Sequence, residues 1–261
     1  MAAIAGCSVA PVERAEGPLG LVDVWRVSRA DGESSWLRIE GSTFALWTRC
    51  GITGGGWDAA ENDILFASTG PISRCSKDAA AKESRWLTEV DHFEPTNDGR
   101  FVLLSRDILV ATLERGLNPP AAGAPADLLT RPAMGPSDRL HFLPITAAPD
   151  YRDRPADLIG VWVPLVDSVP PVMVSLDRSG YYYFYGACPF SETGRFSVTQ
   201  SGVFLRVPID KESSGCGLVD SAQPGLTAAT SIAVINGELH LFERGGAIIE
   251  RFRRAQPGQR L

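Results

Sequence analysis

The sequence predicts an α+β protein, predominantly β, built as two tandem small antiparallel curved-sheet domains with at most one helix each. Three observations predict it. Short runs rich in β-branched and aromatic residues recur between Gly, Asn, Asp and Ser turns along most of the chain. One stretch alone, residues 76–90, carries a clear helical pattern. A set of landmarks also occurs twice in the same order. It opens at Leu21-Val22-Asp23-Val24-Trp25 and again at Leu158-Ile159-Gly160-Val161-Trp162. Trp25 to Cys50 is 50 − 25 = 25 positions, and Trp162 to Cys188 is 188 − 162 = 26. The next steps, Cys50 to Cys75 and Cys188 to Cys216, are 25 and 28.

The elements follow in order. Residues 1–18 read as a lipobox remnant and flexible tether, and 19–115 as the first domain. Within it, Trp36-Leu37-Arg38-Ile39 and Thr43-Phe44-Ala45-Leu46-Trp47 flank a Gly41-Ser42 turn and read as a hairpin. Ile64-Leu65-Phe66 follows the turn residues Glu61-Asn62-Asp63. The helix at 76–90 is built of good helix formers from Asp78 to Glu83, and Trp86, Leu87 and Val90 make its apolar face. Phe101 to Leu104 and Ile108 to Arg115 close the copy as a strand pair. Residues 116–155, rich in Pro, Ala and Gly, read as a linker unable to hold a helix or a central strand, with the apolar His141 to Ile145 docking on a domain surface.

The second domain covers 156–254 and a tail 255–261. Met173 to Leu176 and Tyr181 to Tyr185 flank Asp177-Arg178-Ser179-Gly180, another hairpin. Phe196-Ser197-Val198 and Val203 to Val207 flank Gln200-Ser201-Gly202. The counterpart of the helix, 218–230, is interrupted by Pro224-Gly225 and reads as shorter or irregular. Leu239 to Phe242 and Ala247 to Phe252 form the closing pair, and the mixed charges of Glu243, Arg244, Glu250, Arg251, Arg253 and Arg254 suit a solvated final strand.

Composition narrows the function. The 261 residues are 44% hydrophobic and 21% charged, enough for a packed core, and the net charge of −6 lacks the basic stripe of a nucleic-acid binder. No apolar run approaches the roughly 18–20 residues of a membrane-spanning helix. Ile4-Ala5-Gly6-Cys7 resembles a bacterial lipoprotein cleavage box, in which small residues fit a peptidase and the thiol takes a diacylglycerol. Only six residues precede Cys7 and none is charged, so the basic and apolar regions of a signal would lie upstream of Met1. The alternative is a coincidental small-residue start on a cytosolic protein.

Cys50–Cys75 and Cys188–Cys216 are candidate disulfides, one per copy, each closing a loop of about 25 residues; the alternative is four buried free thiols. No two of these cysteines are spaced as a chelating turn, so no metal is expected, nor any cofactor. Gly51-Ile52-Thr53-Gly54-Gly55-Gly56 lacks the Lys and Ser/Thr of a phosphate loop, because Trp57-Asp58 follows, and reads as a flexible loop. Asp91-His92, with Glu83, could belong to a catalytic group, yet no nucleophile elbow accompanies it. His240, between Leu239 and Leu241, is expected to point outward. Tyr181, Tyr183 and Tyr185 share one strand face and could form a wall for a sugar or peptide, against the reading of a strand covered on both sides. Trp36, Trp47 and Trp57 read mostly as core.

The layout resembles the META (HslJ-like) domain family over roughly 19–115 and 156–254. The Gly-x-Trp-like opening corresponds to Val24-Trp25 and Gly160-Val161-Trp162. The first-cysteine segment corresponds to Arg49-Cys50-Gly51 and Ala187-Cys188-Pro189, the second cysteine to Cys75 and Cys216, and the helix glutamate to Glu83. Neither copy has the family's Gly before or Asn after the first cysteine, and the second lacks a clear helix glutamate. The resemblance implies a non-enzymatic binding, structural or stress-resistance module of the cell envelope. It would be held on the periplasmic face of a bacterial membrane through Cys7, with an envelope protein or polymer as partner and no nucleic acid. A hydrolase-like enzyme with a site between the domains, using Asp91, His92 and Glu83, and a cytosolic protein with reduced thiols are the alternatives.

Overall fold

The computed structural model describes residues 17–73, 75–116, 130–149, 151, 155–165, 173–185, 190–213, 226 and 228–256. The described residues are mostly β, with few helices, and form two eight-stranded units.

The first unit is a closed antiparallel barrel. Its strands are β1 (Val24–Arg29), β2 (Ser34–Ile39), β3 (Thr43–Thr48), β4 (Gly51–Ala60), β5 (Asp63–Ser73), β6 (His92–Pro95), β7 (Phe101–Ser105) and β8 (Ile108–Arg115), each beside the next and β8 back against β1. Alternation sets the inward face: Phe44, Leu46 and Thr48 of β3 are buried while Ala45 and Trp47 are half-buried. The interior holds Trp25, Leu37, Trp57, Phe66, Phe93 and Leu103.

Between β5 and β6 runs α1 (Lys77–Glu89), the helix expected from the sequence. Ser76 caps it by accepting a hydrogen bond from the Ala79 amide at 3.4 Å, and Asp78 lies in its first turn. Trp86, Leu87 and Val90 enter the barrel core. The helix fills the place where the β5–β6 ladder is reduced to one pair, Asp63↔His92.

The second unit contains β9 (Gly160–Pro164), β10 (Met173–Leu176), β11 (Tyr181–Tyr185), β12 (Phe190–Val198), β13 (Phe204–Ser213), β14 (Ser231–Ile235), β15 (Glu238–Phe242) and β16 (Ile248–Arg254), in the order β13-β12-β11-β10-β9-β16-β15-β14. This sheet curls until its edge strands meet at one end. There the bridge Val203↔Ser231 forms, and the Phe204 amide donates to the Thr230 carbonyl at 2.9 Å. The β14–β15 hairpin turns on Asn236-Gly237, both at positive φ, the conformation a two-residue turn with right-handed twist requires.

The repeat is physical. In each unit a one-turn helix, Pro18–Leu21 or α3 (Pro155–Leu158), leads into the first strand. The buried indole of Trp25 donates to the Leu21 carbonyl at 2.6 Å, and that of Trp162 to Leu158 at 2.8 Å. First and last strands pair at Trp25↔Arg115 and Trp162↔Arg254, and each arginine stacks over its indole, at 5.6 and 4.5 Å.

Three expectations change. The glycine run 51–56 is not a loop but the first part of β4, paired with both β3 and β5. The stretch 116–155 holds a short helix, α2 (Pro136–His141), because Pro136 stands at the helix start, where no amide is needed, and the Asp138 carboxylate accepts from the Gly135 amide at 2.8 Å. His240 lies on the face opposite Leu239 and Leu241, as alternation predicts, but that face is covered and it is 8% exposed, since Ala148 and Tyr151 pack over Ala233 and Phe242 there. Residues 1–16, Cys188, Cys216 and most of 218–230 lie outside the described residues.

Candidate functional site

The two units meet through corresponding hairpins: β12 and β13 of the second lie on β4 and β5 of the first. An apolar patch of Ala60, Leu65 and Ala67 from the barrel faces Val203, Leu205 and Val207. Gly56 of β4 leaves room for this approach. A Cβ on Gly56 would stand 2.5 Å from Val207 Cγ1.

Polar contacts frame the patch. Asp58 Oδ2 accepts the Arg206 amide at 2.9 Å, and Asp58 Oδ1 meets His141 Nε2 at 3.0 Å. Ser201 donates to Glu61 at 2.6 Å. Arg195 Nη1 donates to the carbonyls of Phe66 (2.8 Å) and Thr88 (2.7 Å). The last turn of α1 has no basic residue of its own, and Arg195 supplies the cation that its C-terminal carbonyls attract. Burial pushes that guanidinium below its usual pKa.

A cleft runs along this junction in two adjoining parts that share Asp91, Arg106 and Ser197. The larger, about 700 Å³, has Ile64, Val90, Ile108 and Phe196 in its wall beside Arg195. The smaller, about 540 Å³, is polar, with Glu61, Asp63, His92 and Asp107. His92 Nδ1 lies 3.3 Å from Asp63 Oδ1, and burial raises the Asp63 pKa against the lowering effect of His92. Sequence reasoning missed Asp63, because the pair forms only through the β5–β6 contact across 29 positions.

Of the residues weighed for catalysis, Asp91 and His92 line the cleft and Glu83 does not. Both Asp91 carboxylate oxygens accept the Arg106 amide at 3.1 Å, closing the β7–β8 turn. Glu83 is buried on α1 and bonded to Arg49 at 2.7 Å. Ser197 lines the cleft, and among the described residues no hydrogen bond joins it to His92. No group of three or more His, Cys, Asp or Glu among the described residues could hold a metal.

Cys50 and Cys75 are disulfide-bonded, their Cα atoms 5.1 Å apart, beside the Gly51↔Ser73 end of the β4–β5 ladder. On β11, Tyr181 (38%) and Tyr185 (41%) are exposed and Tyr183 is half-buried, whereas Tyr182 and Phe184 enter the core. Tyr182 leads to a buried network absent from the sequence reading. Its hydroxyl donates to Glu192 at 2.6 Å, Arg206 Nη1 pairs with the same Glu192 oxygen at 2.6 Å, and burial raises the tyrosine pKa. Of the three tryptophans, Trp36 and Trp57 are core and Trp47 is half-buried. No protein-family model matches the chain, and a search of the curated proteins returns no match.

Proposed function

We propose that the protein is a non-enzymatic cell-envelope module of META-like build, anchored by a lipid on Cys7 and acting by binding or by structural support. The observation that carries this reading is the bonded Cys50–Cys75 pair, which suits an oxidising compartment. The outward row Tyr181, Tyr183 and Tyr185 supports a wall for an envelope polymer or protein, with rings and hydroxyls facing the same side. The test is expression from the natural gene with a labelled fatty acid, followed by membrane fractionation. Label on the wild type and none on Cys7→Ser is the expected result. A wild-type chain that is unlabelled, reduced and confined to the cytosol would overturn the proposal in favour of a cytosolic protein.

One observation favours a second reading. The His92–Asp63 pair shares the cleft with Ser197, a set of residue types that hydrolases use. Turnover of an ester or amide panel that disappears in His92→Ala would establish it.

A further inference from the structure

The barrel, the second sheet and the connecting segment converge on the Asp58 side chain. It sits on β4, binds its neighbour Ala59 through the amide at 2.9 Å, and takes the Arg206 amide of β13 and the imidazole of His141 at the end of α2. Asp58 is nearly buried, its side chain 15% exposed, and that of His141 is 38% exposed. The connecting segment is pinned on both sides of this point. Phe142 packs on Trp57 with ring centroids 5.5 Å apart, and Arg244 of the β15–β16 turn donates to the carbonyls of His141 and Leu143.

We propose that the His141–Asp58 contact is a proton-operated latch, closed as an ion pair in acid and slackened as His141 loses its proton, which sets how tightly the connecting segment holds the two units together. The surroundings of the imidazole give the direction. The Asp58 hydrogen bond is the largest influence and raises the His141 pKa above its usual value; burial opposes it, the Asp58 charge adds to it, Arg244 lowers it and Asp138 on α2 raises it. Among the other cations near this junction, Arg206 directs its guanidinium to Glu192 and its amide to Asp58, Arg195 bonds the Phe66 and Thr88 carbonyls, and Arg139 lies in the last turn of α2. A raised folded pKa means that the stabilisation is complete below the unfolded value of about 6.5 and disappears as pH rises through the folded value. A cavity of about 490 Å³ lies against the latch, with Trp57, Val207, His141 and Arg206 in its wall, so slackening loosens a surface shared by both units.

The experiment measures Tm of the full chain from about pH 5.5 to 9 for wild type and His141→Gln. The wild type is expected to exceed the variant by about 2–4 °C in acid, with the difference vanishing by about pH 9. A difference that stays constant across the range would reduce His141 to a packing residue and overturn the latch. Should His141→Gln fail to fold, NMR titration of the imidazoles in the wild-type chain decides. A His141 midpoint above the usual histidine value supports the latch, and one at or below it overturns the latch.

Discussion

The two units solve the same closure problem with different means. Both begin with a one-turn helix, a tryptophan anchored to a carbonyl four residues back, and a last strand whose arginine covers that tryptophan. They part company between the fifth and sixth strands. In the barrel, α1 drives Trp86, Leu87 and Val90 into the gap, and the Asp63↔His92 pair completes the ring. In the second unit the described residues supply one bridge, Val203↔Ser231, and Leu205 and Val207 beside it pack on the barrel. A barrel satisfies its edges internally; a curled sheet leaves an edge, and here the barrel's Asp58 accepts one edge amide of β13, that of Arg206. The second unit also carries the buried Tyr182–Glu192–Arg206 network, and Arg206 belongs to that same docked strand.

The comparison can be broken at its shared part. Trp25→Ala and Trp162→Ala each empty a fully buried site, and each is expected to cost about 3–5 kcal/mol in denaturant unfolding. Similar losses would confirm equivalent anchors. A loss confined to one unit would show that only one copy depends on the tryptophan.

The cysteines sharpen it next. Cys50→Ser is expected to cost roughly 3 kcal/mol by freeing a loop of 25 residues. The sequence expects the same bridge from Cys188 and Cys216, which flank β12 and β13 in sequence as Cys50 and Cys75 flank β4 and β5. Two bridges lower the intact non-reduced mass by about 4 Da against the all-thiol chain, and a deficit of about 2 Da would confine the bridge to the barrel.

The smallest expected effect tests the contact between the units. Gly56→Ala places a methyl group against Val207 and is expected to cost about 1–3 kcal/mol. Val207→Ala in the same chain should recover part of that loss. Equal penalties with and without Val207→Ala would mean that the strain lies within β4 and not at the junction.

Much of the framework was legible because its signals are local. The α1 helix is written in Ser76, the helix formers after it and the Trp86-Leu87-Val90 face. The hairpins β2–β3 and β10–β11 are written in alternation and turn residues. The Cys50–Cys75 pair was a candidate from the repeat, against free thiols, and the structure shows it bonded. The site was much less legible. Asp63 and His92 stand 29 positions apart, and Asp58 and His141 stand 83 apart, and neither pair belongs to a motif.

The sequence by itself determined the β-rich class, the twofold order of landmarks and the single clear helix, since each depends on periodicity, caps or spacing along the chain. Only the tertiary structure decided that a glycine run is a strand, that His240 is covered, that the proline-rich connection contains a helix, and that the two units share Asp58. Those outcomes depend on which backbone approaches which. A Cβ on Gly56 would meet Val207, 151 positions further along, and no local propensity records a neighbour so distant.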